Sequence, residues 1–170
     1  QIQKSRQLNI DEETYLKIIA DKTASLFSTC TDIGAASVTD DANRRDVMRS
    51  FGESVGMAFQ IRDDLLDYDG RKSIIGKPPG IDIKEKKLTL PLIHALQLGP
   101  RKDARQALRI VKNGAKRKDV DWVIDFVKAT GGIEYALSKA AHYASLARQN
   151  LTTFQESPAK NSLLQFVDFV

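Results

Sequence analysis

Three aspartates stand close together at Asp63, Asp64 and Asp67. Residues i and i+4 of a helix project the same way one turn apart, so Asp63 and Asp67 share a side. At 3.6 residues per turn, Gly56, Gln60, Asp63, Asp64 and Asp67 fall on one stripe roughly 80–100° wide. The remaining surface is Met57, Ala58, Phe59, Ile61, Leu65 and Leu66, with Arg62 the exception. A helix that is apolar nearly all round is normally buried, so these carboxylates are expected to face an interior or a cleft. Close carboxylates repel one another and are costly to desolvate, and a cation must offset them. Hard divalent ions prefer oxygen ligands, and Mg²⁺ completes its shell with waters and substrate phosphate. The expected chemistry is a Mg²⁺–phosphate site on Asp63, Asp64 and Asp67. Gly56, one turn before Gln60, is expected to leave room beside it. The competing reading is an acidic surface helix with local ion pairs. That reading suits Asp121 and Asp125, which flank Trp122 on an ordinary amphipathic pattern.

A phosphate site also needs cations from the protein. Lys22 falls in an apolar arc with Tyr15, Ile18, Ile19 and Leu26, while Lys17, Asp21, Ser28 and Asp32 form the polar arc. Such a lysine either snorkels to the surface or aims its ammonium into a cavity that holds an anion. Thr23 could add a hydroxyl there. Downstream, Gly76 to Pro91 reads GKPPGIDIKEKKLTLP. Its glycines free the backbone to approach a ligand and its lysines supply point charges. It is either a solvated loop or a lid over a diphosphate.

Helices must position these groups. A first helix is expected from about Asp11 to Gly34, with Asp11, Glu12 and Glu13 at its positive end. Thr39 or Asp40 is expected to cap a second that runs to about Asp69 and stops at Gly70. Residues 71–88 read as a loop, and Pro91 opens a short helix ending at Gly99-Pro100. Further helices are expected at about 102–113, 119–130 and 132–155, then a last one opened by Ser157-Pro158. Alternating strand patterns are absent.

The bulk properties fit one compact domain of 170 residues. Hydrophobic residues make up 42% and charged residues 28%, enough to bury a core and stay soluble. No apolar run approaches the roughly 20 residues of a membrane span. Cys30 is the only cysteine, which fits a reducing compartment. The expected location is cytoplasmic, or peripheral to a membrane. The net charge is +4. Arg101, Arg105, Arg109 and Lys112 recur at helical spacing beside Ala104, Leu108 and Val111, and read as a solvated helix face. No nucleic-acid motif is visible.

The run GMAFQIRDDLLDYDG, Gly56 to Gly70, resembles the second aspartate-rich motif of the trans-isoprenyl diphosphate synthases. GKPPGIDIKEKKLTLPLIHAL, Gly76 to Leu96, is similar to the loop and helix that follow it there. YLKIIADKTASLF, Tyr15 to Phe27, resembles the earlier Lys-Thr segment. Three motifs in the family's order make the resemblance specific over residues 15–96.

The resemblance implies an all-α isoprenoid-synthase fold around a deep cavity, of which residues 1–170 form the C-terminal portion. It implies Mg²⁺ on Asp63, Asp64 and Asp67, and an allylic diphosphate contacted by Lys22, Lys77 and Lys87. Thr23 and Gln60 would sit where positive charge develops on the allylic carbon. The implied reaction adds isopentenyl diphosphate to that allylic diphosphate, giving a trans-polyprenyl diphosphate. TLPLI at Thr89–Ile93 resembles the medium- to long-chain branch, such as the octaprenyl diphosphate synthases, more than the farnesyl branch, and a homodimer is implied. The family usually has glycine where Lys86 stands. Its first aspartate-rich motif does not occur in the sequence, so the chain by itself is expected to be inactive and to expose apolar faces. Two alternatives keep the fold: a non-catalytic regulatory subunit, which usually lacks these aspartates, and a terpene cyclase, which generally lacks the paired Lys-Thr and GKPPG…TLPL features.

Overall fold

The computed structural model describes residues 11–68 and 79–170. They are all helix, turn and coil, with no strand among the described residues. The order is α1 (Glu12–Ile19), a π-helical turn (Ala20–Ala24), α2 (Ser25–Ala36), α3 (Ala42–Leu66), α4 (Ile81–Lys84), α5 (Leu90–Leu98), α6 (Arg101–Asn113), α7 (Arg117–Ala129), α8 (Gly132–Leu151) and α9 (Pro158–Phe169).

The helix ends follow side-chain chemistry. Asp11 Oδ1 accepts from the Thr14 amide at 2.8 Å, and Ser157 Oγ from the Lys160 amide at 3.1 Å. Neither Thr39 nor Asp40 caps α3. Asp41 does, accepting the Asn43 amide at 2.9 Å and the Arg44 amide at 3.3 Å. All three types can cap, and the one that sits next to the first helical residue wins. Pro91 stands in the first turn of α5 as expected. α3 ends at Leu66, short of the expected Asp69, with Asp67 and Tyr68 in a turn, and Gly70 lies outside the described residues.

The single first helix expected from periodicity is interrupted. Residues 20–24 widen into a π turn before α helix resumes. The insertion rotates the residues after it, so the arc built on uniform 3.6-residue spacing breaks there. Tyr15 and Ile19 are buried, but Lys22 and Leu26 are exposed.

Contacts within the chain cluster into two compact units. The division falls inside α1, α3 and α8, which each supply residues to both. In the unit of residues 17–62 and 138–170, Phe51, Val55, Ala147, Leu151 and Val167 form the core. Phe27 packs there against Phe59 at a tilt of 39° and stacks on Phe166. Thr31 Oγ1 donates to the Met48 carbonyl at 2.6 Å, and Asp32 pairs with Arg45 and Arg49 at 3.0 and 3.1 Å. Those guanidiniums, Arg45 first, hold the Asp32 carboxyl below its ordinary range.

The other unit contains residues 11–16, 63–68 and 79–137 of the described chain. Its core is Tyr68, Ile83, Leu90, Leu92, Ile93, Val111, Val123 and Val127, all almost fully buried. Tyr68 and Thr89 share a buried hydroxyl–hydroxyl hydrogen bond of 2.7 Å. Gly132 lies so close to the Pro91 carbonyl that a Cβ would collide with it.

Candidate functional site

Asp63 and Asp64 lie in the last turn of α3 and Asp67 in the turn just past its end, and the three carboxylates have different surroundings. Asp63 is exposed, Asp67 half-buried and Asp64 only 9% exposed. The expectation that all face an interior therefore holds for Asp64 and partly for Asp67. The helix is not buried all round either: Phe59 and Leu66, seven residues apart, are both exposed. The burial argument presumed that something covers every apolar side, and the described residues leave that one partly open.

Asp64 Oδ2 accepts a 2.8 Å hydrogen bond from the Tyr15 hydroxyl. Burial, then the charge of Asp64, pushes Tyr15 far above the ordinary phenol range, so it stays a donor. Both oxygens of Asp67 meet the start of α4. Oδ1 accepts from the Ile81 amide at 2.7 Å and Oδ2 from the Asp82 amide at 3.0 Å. Gly80, with φ of +79°, donates its amide to the Asp67 carbonyl at 2.9 Å. The left-handed backbone there favours glycine. Burial, then the nearby Asp82 charge, raises the Asp67 carboxyl above its ordinary value, against the pull of these amides.

Asp82 links Asp67 to a lysine. Its carboxylate receives Lys87 Nζ at 3.0 Å, and Glu85 receives the same ammonium at 2.7 Å. These partners, Glu85 first, hold Lys87 above the ordinary lysine range. Lys86 is exposed and has φ of +62°, the left-handed region that costs an L-residue roughly 1–2 kcal/mol. That accounts for the glycine usual at this position in the family that the sequence resembles. Lys86→Gly is expected to leave stability within about 1 kcal/mol of the parent, on the stabilising side. A thermal midpoint that drops instead would show that the Lys86 side chain contributes more than its backbone costs.

In the other unit, Thr23 Oγ1 donates to Gln60 Oε1 at 2.7 Å, and Gln60 is buried. Thr23 and Lys22 both sit in the π turn. Such turns inside α-helices are frequent at functional sites. Gly56 does not leave open space beside Gln60. A Cβ there would lie 2.6 Å from Ala24 Cα, so the glycine instead lets two helices touch. Lys77 lies outside the described residues.

The structure thus pairs Tyr15 with Asp64, Asp67 with α4, Asp82 with Lys87, and Thr23 with Gln60. It brings no three His, Cys, Asp or Glu residues into a ready metal cage among the described residues. Sequence reasoning missed Tyr15 as a polar partner, because its contact is 49 residues away. Asp82 stood within a quoted motif, but its two-way role depends on a fold of α4 that spacing does not reveal.

Residues 1–127 match the polyprenyl synthetase family model. This chain belongs to that family. It is 34% identical over 164 residues to a short chain isoprenyl diphosphate synthase of Methanothermobacter thermautotrophicus, covering 96% of this chain and 50% of that one. It is 30% identical over 156 residues to the octaprenyl diphosphate synthase of Escherichia coli, covering 92% and 48%. A polyprenyl synthase from Caulobacter crescentus, solved with calcium and isoprenyl diphosphate, superposes with a TM-score of 0.92 at 32% identity, covering 99% and 52%. The helical fold is thus that of the family's solved members. The chain spans about half the length of the curated relatives it matches.

Proposed function

We propose that this chain supplies one half of a trans-polyprenyl diphosphate synthase, which joins isopentenyl diphosphate to an allylic diphosphate. The observation that carries the reading is the Asp67–α4–Lys87 arrangement. One short helix holds a proposed metal carboxylate by its amides and a proposed phosphate lysine by its Asp82 side chain.

The donor set fits Mg²⁺ of a particular kind. All the candidate donors are carboxylate oxygens, and each oxygen has about two lone-pair sites. The bonds from Ile81 and Asp82 take one site on each Asp67 oxygen and so leave acceptor capacity there. Mg²⁺ is usually held by one or two carboxylates plus waters and phosphate oxygens, and needs no all-protein cage. The scattered geometry here suits that mode.

In the proposed reaction Asp63, Asp64 and Asp67 would hold the metal, with Tyr15 orienting Asp64 by its hydrogen bond. Bound Mg²⁺ supplies charge stabilisation for a departing diphosphate. Lys22 and Lys87 contact that diphosphate, with Lys77 alongside. To do so Lys87 exchanges Asp82 and Glu85 for phosphate oxygens. The Thr23–Gln60 pair presents dipoles where the allylic carbon becomes positive. The isopentenyl double bond then attacks that carbon, and a proton is lost from the adduct. The family resemblance also supports a homodimer. No helix among the described residues is long and apolar enough to cross a membrane.

Titration calorimetry with inorganic pyrophosphate tests the clamp in the chain as it stands. Weak binding that requires Mg²⁺ is expected, since carboxylates and phosphate repel unless a cation lies between them. It should weaken as salt rises, because an open site is screened. Binding of equal strength without the metal would mean that the lysines act alone and the aspartates are no metal site.

A further inference from the structure

The most uneven charge along the sequence lies outside the candidate site, on the helix face that periodicity reads as merely solvated. Residues 101–118 contain eight basic residues and one acid, a net of +7 in a chain whose total is +4. The other 152 residues therefore carry a net −3. All eight basic side chains are exposed, and none makes an ion pair among the described residues.

Helix geometry gathers them. On α6, positions 101, 105, 109 and 112 fall within an arc of about 80° and extend about 17 Å along the axis. Successive charges stand about 6 Å apart along that axis, less than a Debye length at physiological salt, so their fields add. The one acid, Asp103, projects roughly 160° away around the helix. Ala107 and Val111 are fully buried, and α6 packs through that side against α5 and α7. Lys116, Arg117 and Lys118 continue the positive charge beyond the C-terminus of α6. Asp119, next in the chain, is engaged with the Lys116 amide at 3.0 Å. Three residues before the stripe, Leu98 is 70% exposed.

Burying Ala107 and Val111 needs a polar outer face, but not one of a single sign. A solvated helix normally mixes charges and gains from i,i+4 pairs of opposite sign. α6 gives up those pairs and keeps four like charges in a row. The geometry points to a docking surface for a membrane that exposes anionic lipid headgroups, with α6 lying along the plane and Leu98 at its edge. A convex helix with one straight basic stripe suits a flat, diffuse field of negative charge. Basic clusters of this size on an amphipathic helix bind anionic lipid by summed electrostatics. Nucleic acid is the lesser fit, because aromatic residues for stacking are absent from the stripe and Trp122 is stacked on Phe126 instead. The inference does not depend on the proposed reaction, since no residue of the stripe belongs to the proposed site.

Co-sedimentation with vesicles tests it. The chain is expected to pellet with phosphatidylglycerol–phosphatidylcholine vesicles and not with phosphatidylcholine alone, and raised salt should release it. Each stripe charge removed should weaken partitioning about fivefold. A variant with Arg101→Gln, Arg105→Gln, Arg109→Gln and Lys112→Gln should lose on the order of a hundredfold or more. Glutamine keeps helix propensity close to that of the residues it replaces, and far-UV circular dichroism checks the fold. A matched variant with Lys17→Gln, Arg44→Gln, Lys128→Gln and Arg148→Gln removes four exposed charges elsewhere, and should bind within a few fold of the parent. Equal loss in both variants would reduce the effect to net charge and overturn the docking face. So would equal binding to the two vesicle types. Tighter binding of a short DNA duplex than of the anionic vesicles, at one salt concentration, would overturn it in favour of nucleic acid.

Discussion

Asp63→Ala, in a synthase completed by the part of the fold that lies outside this chain, is expected to lower kcat about 10²–10³-fold. The size follows from its proposed work. Removing one preorganised group that stabilises the charge of a departing oxyanion costs about 2.7–4 kcal/mol in the transition state. Asp63 is exposed, and alanine is the better helix former, so α3 should stay folded. Asp64 would report on its Tyr15 contact as well, and Asp67 on its hold over Ile81 and Asp82. Asp125→Ala is the internal control: an exposed aspartate on α7 with no proposed role, expected to change kcat little. Steady-state rates with saturating allylic substrate make the comparison, and equal effects at 63 and 125 would remove the acidic stripe from the reaction.

Much of this was legible before the fold was known. Helical periodicity, the Pro91 and Ser157-Pro158 starts and the cluster of aspartates are local features, and local features are what a sequence displays directly. What escaped was set by contacts between distant residues. Tyr15 read as one more apolar position, since nothing nearby shows that its hydroxyl meets a carboxylate 49 residues on. The π turn at Ala20–Ala24 escaped for a different reason. A single extra residue in a helical turn leaves composition and propensity unchanged, and shifts only the register of the helix beyond it. Lys22 and Leu26 therefore share an apolar arc with Tyr15 and Ile19 only at uniform 3.6-residue spacing, and both are exposed. Lys86 is the opposite case: its departure from the glycine usual in the family was visible, but its left-handed φ gives that departure a cause.

Two glycines on neighbouring helices should respond to alanine with opposite signs. Gly52, in the middle of α3, faces α2 so closely that a Cβ would stand 2.5 Å from the Phe27 carbonyl oxygen and collide with Thr31 Oγ1. The carbonyl belongs to a helix backbone and cannot swing aside. Thr31 cannot easily give way either, because its hydroxyl bridges to the Met48 carbonyl at 2.6 Å. Gly56, one turn on, meets Ala24 Cα in the same way, so two small residues in succession set the distance between α3 and the helix that Ala24 and Phe27 share. Overpacking such a contact costs about 1–3 kcal/mol and occasionally more. Alanine recovers about 0.8–1.0 kcal/mol over glycine in a helix interior, so Gly52→Ala should still be a net loss. Gly34 is also helical, but a Cβ added there would have nothing within 4 Å, so Gly34→Ala keeps the propensity gain and should stabilise by up to about 1 kcal/mol. Urea unfolding followed by circular dichroism should move the two midpoints apart, Gly52→Ala to lower urea and Gly34→Ala to higher. A rise in both would mean that α2 and α3 can separate at little cost. In that case the close approach at Gly52 and Gly56 would not be what sets the distance between α3 and the helix that Ala24 and Phe27 share.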